Sequence, residues 1–304
     1  MNRAIAIARN PRLWRLGIAL AVFAVLLGSA IGAIADRATD PKVRLERARD
    51  LAFAHKPEAA LRELRRVLAE VDERSNPELR LSALARMAQV LDTQLGDSHA
   101  KDALAAHKRV WDEFPESDEA FESGIRMGEI MRQRLGNDLH AENQFLAVVK
   151  AFPAHPGVEK VLLRAARIAE ENRRYEEAKA YALRLQNEYS GSALAPEAQS
   201  IVGEVLHLEG RHAEAVKAYQ VVSNKWPRTE RAARALFEAG NCLAEVGDLS
   251  HAIGHYIESL SDHPDPLSVQ RNLERVRRRF TAVRQTASAT AKEAAFDRNR
   301  FSMH

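Results

Sequence analysis

The sequence predicts an all-α chain: an α-solenoid of about five to six helix pairs with a C-terminal capping helix, preceded by one N-terminal transmembrane helix. Three observations carry that prediction. A set of small, aromatic and helix-ending residues recurs every 37 or 38 positions. Within each copy the apolar residues keep helical spacing. One run of 20 residues near the start holds no charge.

That run comes first in the chain. Residues 16–35, "LGIALAVFAVLLGSAIGAIA", would form a helix roughly 30 Å long, the hydrocarbon thickness of a bilayer. Trp14 and Arg15 stand where an interfacial anchor belongs, and residues 1–15 form a basic segment. The alternative is a cleaved signal peptide, with "AIA" before Asp36 as the cleavage site and the mature chain secreted. No cysteine follows the run closely, which removes the lipoprotein form. Arg9, Arg12 and Arg15 crowd the N-terminal flank, whereas Arg37 stands alone near the other. A cytoplasmic N-terminus, with residues 36–304 on the other side of the membrane, is therefore expected. Gly28 and Gly32 form a G-x-x-x-G through which two such helices could self-associate.

Residues 41–266 hold the repeats. Phe114-Pro115, Phe152-Pro153, Tyr189-Ser190, Trp226-Pro227 and His263-Pro264 mark the ends of successive copies. Twelve residues before each of these Pro or Ser positions stands an alanine: Ala103, Ala141, Ala178, Ala215 and Ala252. Four positions on come His107, Phe145, Ala182, Tyr219 and Tyr256, and seven on come Val110, Val148, Leu185, Val222 and Ser259. Offsets of 0, 4 and 7 share one helix face, so each second helix buries one stripe. A preceding helix carries a small residue at Gly128, Ala166, Gly203 and Gly240, which lets the second helix approach closely. Turn signals such as "EGR" (209–211) and "VGD" (246–248) join the two. A weaker copy precedes these, with Ala48, Leu51, Ala60, Leu64 and Val67, set apart by an insertion around 72–78. One such pair cannot bury both its faces, so stacking is obligatory.

This pattern resembles the tetratricopeptide repeat, and "ALFEAGNCLAEVGDLSHAIGHYIESLSDHP" (235–264) looks like its consensus almost throughout. The copy ending at Ser190 has lost the proline and the aromatic. The resemblance implies a superhelix whose first (A) helices line a concave, partner-binding groove. It would place Glu122, Ile125, Glu129, Arg132, Lys160, Leu163, Arg167, Glu170, Glu197, Glu204, His207, Arg234, Phe237 and Asn241 there. That set lacks the Lys, Asn and Arg combination that would grip a C-terminal carboxylate. Similar bacterial proteins, with one span and a periplasmic repeat domain, assist envelope proteins in assembly, folding or export, or serve as fixed subunits of membrane complexes.

Residues 267–285 read as the capping helix, with Val269, Leu273, Val276, Phe280 and Val283 on one stripe. Arg271, Arg275, Arg278 and Arg279 form a possible basic contact face on the other side. Residues 286–304 read as a flexible tail.

Charge argues against nucleic acid as a partner. The net charge is +3, but residues 1–15 carry +4 and residues 267–304 carry +6, which leaves −7 on the body to repel phosphate. Other proteins and, through residues 16–35, the membrane are the expected partners.

Chemistry is sparse in the sequence, and no catalytic, cofactor or metal residue is assigned. Cys242, the single cysteine, reads as a buried thiol in a small-residue slot. His251 and His255 have i, i+4 spacing but no evident third ligand. Adjacent carboxylates such as Glu170-Glu171 point apart on a helix and make no acid/base pair. There is no G-x-S-x-G, H-E-x-x-H or Gly-rich phosphate loop. An interaction protein is expected, not an enzyme; a solenoid-type hydrolase is the remaining alternative.

Overall fold

The computed structural model describes residues 40–72 and 74–301, with side chains as far as 291. The expected membrane span, its Gly28–Gly32 contact and the cleavage site lie outside the described residues. No helix among the described residues is long and apolar enough to cross a membrane.

Thirteen α-helices and one short 3-10 turn make up the described chain, which divides into two compact units, Met1–Gly136 and Asn137–His304. In the first unit, α1 (Pro41–Phe53) packs on α2 (Pro57–Glu70), α2 on α3 (Pro77–Gln94), α3 on α4 (Ala100–Glu113), and α4 on α5 (Asp118–Gln133). The early copy is therefore real: Ala48, Ala60, Leu64 and Val67 are buried in one core with Leu84, Val90, Ala103 and Val110. Within the insertion around 72–78, Asn76 accepts from the Leu79 amide and starts α3.

The second unit holds α6 (Asp138–Ala151), α7 (Val158–Glu171), α8 (Tyr175–Glu188), α9 (Ala195–Leu208), α10 (His212–Lys225), α11 (Glu230–Glu245), α12 (Leu249–Ser259) and α13 (Pro266–Phe301). Each helix packs on the next. The A helices α7, α9 and α11 also touch in sequence, which makes them one layer. The alanine of every second helix is fully buried, as are the residues seven positions on. The aromatics Phe114, Phe152, Tyr189 and Trp226 follow directly as the C-caps of α4, α6, α8 and α10.

The turns within the pairs share one geometry. Gly136, Arg173, Gly210 and Gly247, each 37 residues after the last, all have positive φ, as does His55 in the first pair. The amide after each of Arg173, Gly210 and Gly247 reaches back to a carbonyl five residues earlier: Arg174 to Ala169 at 2.8 Å, Arg211 to Leu206 at 2.8 Å, Asp248 to Leu243 at 2.9 Å. This is the Schellman closure, which needs a left-handed residue to turn the chain.

The C-terminal helix differs from its prediction in two ways. It does not stop at 285 but continues through the expected tail to Phe301. No Gly or Pro follows Pro266, and the Ala-rich composition favours continued helix. Its apolar stripe is shorter than the sequence predicts. Val269, Leu273 and Val276 are buried against Ala244, Leu249, Ala252 and Tyr256, with Phe280 partly so, but Val283 is 59% exposed. The helix has run past the edge of the last pair by that turn.

Candidate binding surface on the A helices

In the second unit, the predicted groove positions converge on Arg167. Its guanidinium pairs with Glu204 of α9, lies 2.9 Å from Glu170 and stands 3.6 Å from Glu197. Glu197 in turn takes a second cation, Arg231 of α11, at 2.5 Å. Arg167, Glu204, Arg231, Arg234, Phe237 and Glu238 line one cavity of about 280 Å3. Phe237 forms its apolar wall and packs against the rings of Tyr256 and His263 at centroid distances of 5.7 and 5.0 Å.

The electrostatics of this cavity are unbalanced. Burial, with repulsion from Glu204 added, pushes the Glu170 carboxyl up to about 7 although Arg167 opposes it. Burial and Glu204 likewise raise Glu238. Burial works against the Arg167 charge, but Glu204 and Glu170 outweigh it and raise its pKa. Burial is the first cause of both glutamate shifts, and repulsion between neighbouring carboxylates adds to it.

The remaining predicted residues fall elsewhere. Lys160 is exposed, whereas Leu163 is buried. His207 and Asn241 line an adjoining cavity of about 440 Å3 with Glu238, Glu245, Arg275 and Arg279. The predicted basic face therefore divides: all four arginines are exposed, but Arg275 and Arg279 line this cavity beside the A helices, and Arg271 and Arg278 do not. Asn241 ties the capping helix to the layer, accepting from Tyr256 Oη at 2.7 Å and from Asn272 Nδ2 at 3.1 Å.

In the first unit, α3 and α5 border a cavity of about 570 Å3 that includes Gln89, Asp92, Glu122, Ser123 and Arg126. Of the predicted residues, Glu122 is exposed there, Ile125, Glu129 and Arg132 are half-buried, and Glu129 pairs with Arg126. Sequence reasoning missed the centre of this region. Asp92 is 2% exposed and is held by Arg126 at 2.6 Å and Arg134 at 2.9 Å. Beside it, His107 stands 3.6 Å from Asp92 and 3.1 Å from Ser123 Oγ. The row Ser123–His107–Asp92 has the membership of a hydrolytic triad but not its electrostatics. Two arginines already neutralise Asp92, and burial lowers the His107 pKa, so an imidazolium there gains little support. The row is a buried polar clamp between α3, α4 and α5.

His251 and His255 do not meet as ligands. His251 bonds Asp248 at 2.8 Å, and His255 faces Glu258 at 3.8 Å. Cys242 is buried, and burial pushes its thiol up to about 12, far from a nucleophile's range.

Comparison with known proteins agrees with this architecture. A tetratricopeptide-repeat family model matches residues 160–192, which covers most of α7 and all of α8. The matched copy is the one without the proline and the aromatic, not the copy at 235–264. No curated protein matches the chain. Among solved structures, the apo form of RapI has a TM-score of 0.55 at 13% identity, covering 80% of this chain and 72% of that one. A STAND signal-transduction ATPase with a tetratricopeptide-repeat sensor, PH0952 from Pyrococcus horikoshii, has a TM-score of 0.53 at 16% identity, covering 78% and 38%. A chain of Naa15/Naa10 bound to HypK-THB has a TM-score of 0.50 at 17% identity, covering 85% and 36%. The likeness at these identities is one of fold. The chain spans little more than a third of the last two.

Proposed function

We propose that the chain is a protein-binding scaffold whose α7–α9–α11 surface takes a partner segment carrying lysine or arginine beside an apolar side chain. The observation that carries this reading is the crowding of Glu170, Glu204 and Glu238 next to Phe237. A partner cation placed among those carboxylates would relieve the repulsion between them, and Phe237 would seat the apolar neighbour. In the same reading residues 16–35 tether the scaffold to a bacterial inner membrane with the repeats on the periplasmic side. That raises its effective concentration toward envelope partners during assembly, folding or export. A fixed accessory subunit of a membrane complex is the second reading, favoured by the arginines of α13 that border the same layer.

The test is purification of the full-length chain in mild detergent with quantitative mass spectrometry of what accompanies it. The paired exchange Arg167→Glu with Glu204→Lys keeps an ion pair in place and should leave helicity unchanged while removing bound partners. Ala215→Arg, at a fully buried position, should instead unfold the unit. Many sub-stoichiometric partners lost on the exchange mean a client adaptor; a few at fixed ratio mean a subunit. Partners unaffected by the exchange would place the binding surface elsewhere.

A further inference from the structure

One cluster in the second unit is explained neither by the repeat nor by the binding surface. His207 lies in the last turn of α9 and His212 begins α10, and the left-handed Gly210 turn brings their rings to 5.1 Å between centroids. Cys242 of α11 points its sulfur at the same place, 3.0 Å from His207 Nδ1. Donor atoms of these three residues all lie within 4.8 Å of one another. One helical turn beyond Cys242, Glu245 brings Oε2 to 3.3 Å from His212 Nδ1 and 3.8 Å from His207 Nδ1. His212 Nδ1 is buried and makes no hydrogen bond.

The repeat itself does not ask for these residues. One period earlier, Cys242 corresponds to Val205 and Glu245 to Leu208, while His207 corresponds to Glu170 and His212 to Tyr175. Val205 is fully buried as ordinary core. None of the four positions holds the same residue one period earlier, and His207, His212 and Cys242 converge.

We propose that His207, His212, Cys242 and Glu245 form a binding site for one zinc-class divalent metal ion. Two imidazole nitrogens, one thiolate and one carboxylate are a tetrahedral zinc donor set, with a total charge of −2 that a divalent ion balances. Bonds of 2.0–2.3 Å in a tetrahedron put donors about 3.3–3.8 Å apart, so His207, His212 and Cys242, all within 4.8 Å, need shifts of only about 1 Å, and Glu245 would enter as the fourth ligand from the His212 side. Metal binding forms the metal–sulfur bond and releases the Cys242 proton to solvent. The α9–α10 turn and α11 come from successive pairs, so the ion would clasp one pair to the next. Glu245 and His207 also border the cavity lined by Arg275 and Arg279, which puts the clasp at the edge of the binding surface.

Cobalt(II) titration of the metal-free, full-length chain tests this directly. The expected result is saturation at one equivalent, with tetrahedral visible bands and a thiolate-to-cobalt charge-transfer band, all removed by zinc. Cys242→Ser should abolish the charge-transfer band. His212→Ala, a change at a half-exposed helix start, should weaken binding by roughly tenfold or more without altering helicity. A wild-type chain that shows no charge-transfer band overturns the site, as does binding that either variant leaves intact. If Cys242→Ser fails to fold, His212→Ala decides alone. These readouts do not depend on partner binding, so the metal site and the scaffold reading fail separately.

Discussion

Arg173 is where the repeat's turn rule is broken by a residue and kept by the backbone. Three of its equivalents are glycine, yet Arg173 sits at φ 58° and closes the same turn. An L side chain there costs about 1–2 kcal/mol. Arg173→Gly should therefore stabilise the second unit by about 0.5–1 kcal/mol after glycine's own entropy cost, read as a raised midpoint in urea. The opposite sign is expected at Gly203. A Cβ there would lie 2.6 Å from Cε1 of Tyr219, whose ring is buried. Gly203→Ala should cost about 1–3 kcal/mol, and an unchanged midpoint would mean that Tyr219 can move aside. At Ala166 and Ala182, one period earlier, both positions are small and fully buried. The pairs Gly203–Tyr219 and Ala166–Ala182 thus trade volume across the same seam.

Elements that repeat were legible in the sequence, and elements that occur once were not. The stripe alanines, the C-capping aromatics and the Gly turns could be read because each is checked four or five times along the chain. Asp92, Arg126 and Arg134 meet through spacings of 34 and 42 residues that match no period, so nothing marked them as partners. His207, His212 and Cys242 were hidden for the same reason: their meeting depends on the Gly210 turn and on α11, not on a local motif. The crowding at Glu170 was only half visible, since its register placed it on the A-helix face but burial sets its charge. Residues 286–304 read as a tail because they are small and polar, although their composition is that of a helix. Residues 281–291 are all exposed, so the helix beyond Phe280 should be dispensable. Truncation after Thr290 should leave the thermal midpoint unchanged, whereas truncation after Asp265 strips Val269, Leu273 and Val276 from the last pair. Losing those three contacts should cost about 5 kcal/mol or more and melt α11–α12 first by hydrogen exchange. Equal stability of the two truncations would show that α13 does not cap the stack.

Across the whole molecule the two units carry buried titrating groups of opposite sign. In the first, burial depresses His107 below 6.5, with Arg126 adding to this and Asp92 opposing. The native state there prefers the neutral ring, so its contribution is complete above pH 6.5 and is lost as pH falls through the folded value. In the second, Glu170 is raised from 4.5 to about 7 and Glu238 is raised as well. Those groups favour the native state below pH 4.5, and the benefit is lost as pH rises through 7. Both glutamates are partly solvated, which makes that term small. Hydrogen exchange at pH 7.5 and 5.5, corrected for intrinsic rates, should show α3–α5 losing protection on acidification while α7–α11 hold or gain it. His107→Phe should flatten the first response and Glu170→Gln the second. The same titration reaches function if the binding surface takes a basic segment. A proton on Glu170 removes one negative charge beside Arg167 and Glu204, so a basic peptide should bind more weakly at pH 6 than at pH 8. Glu170→Gln should bind at the weaker level across that range. Affinity that rises on acidification would mean that the partner meets the arginines of this surface and not its carboxylates.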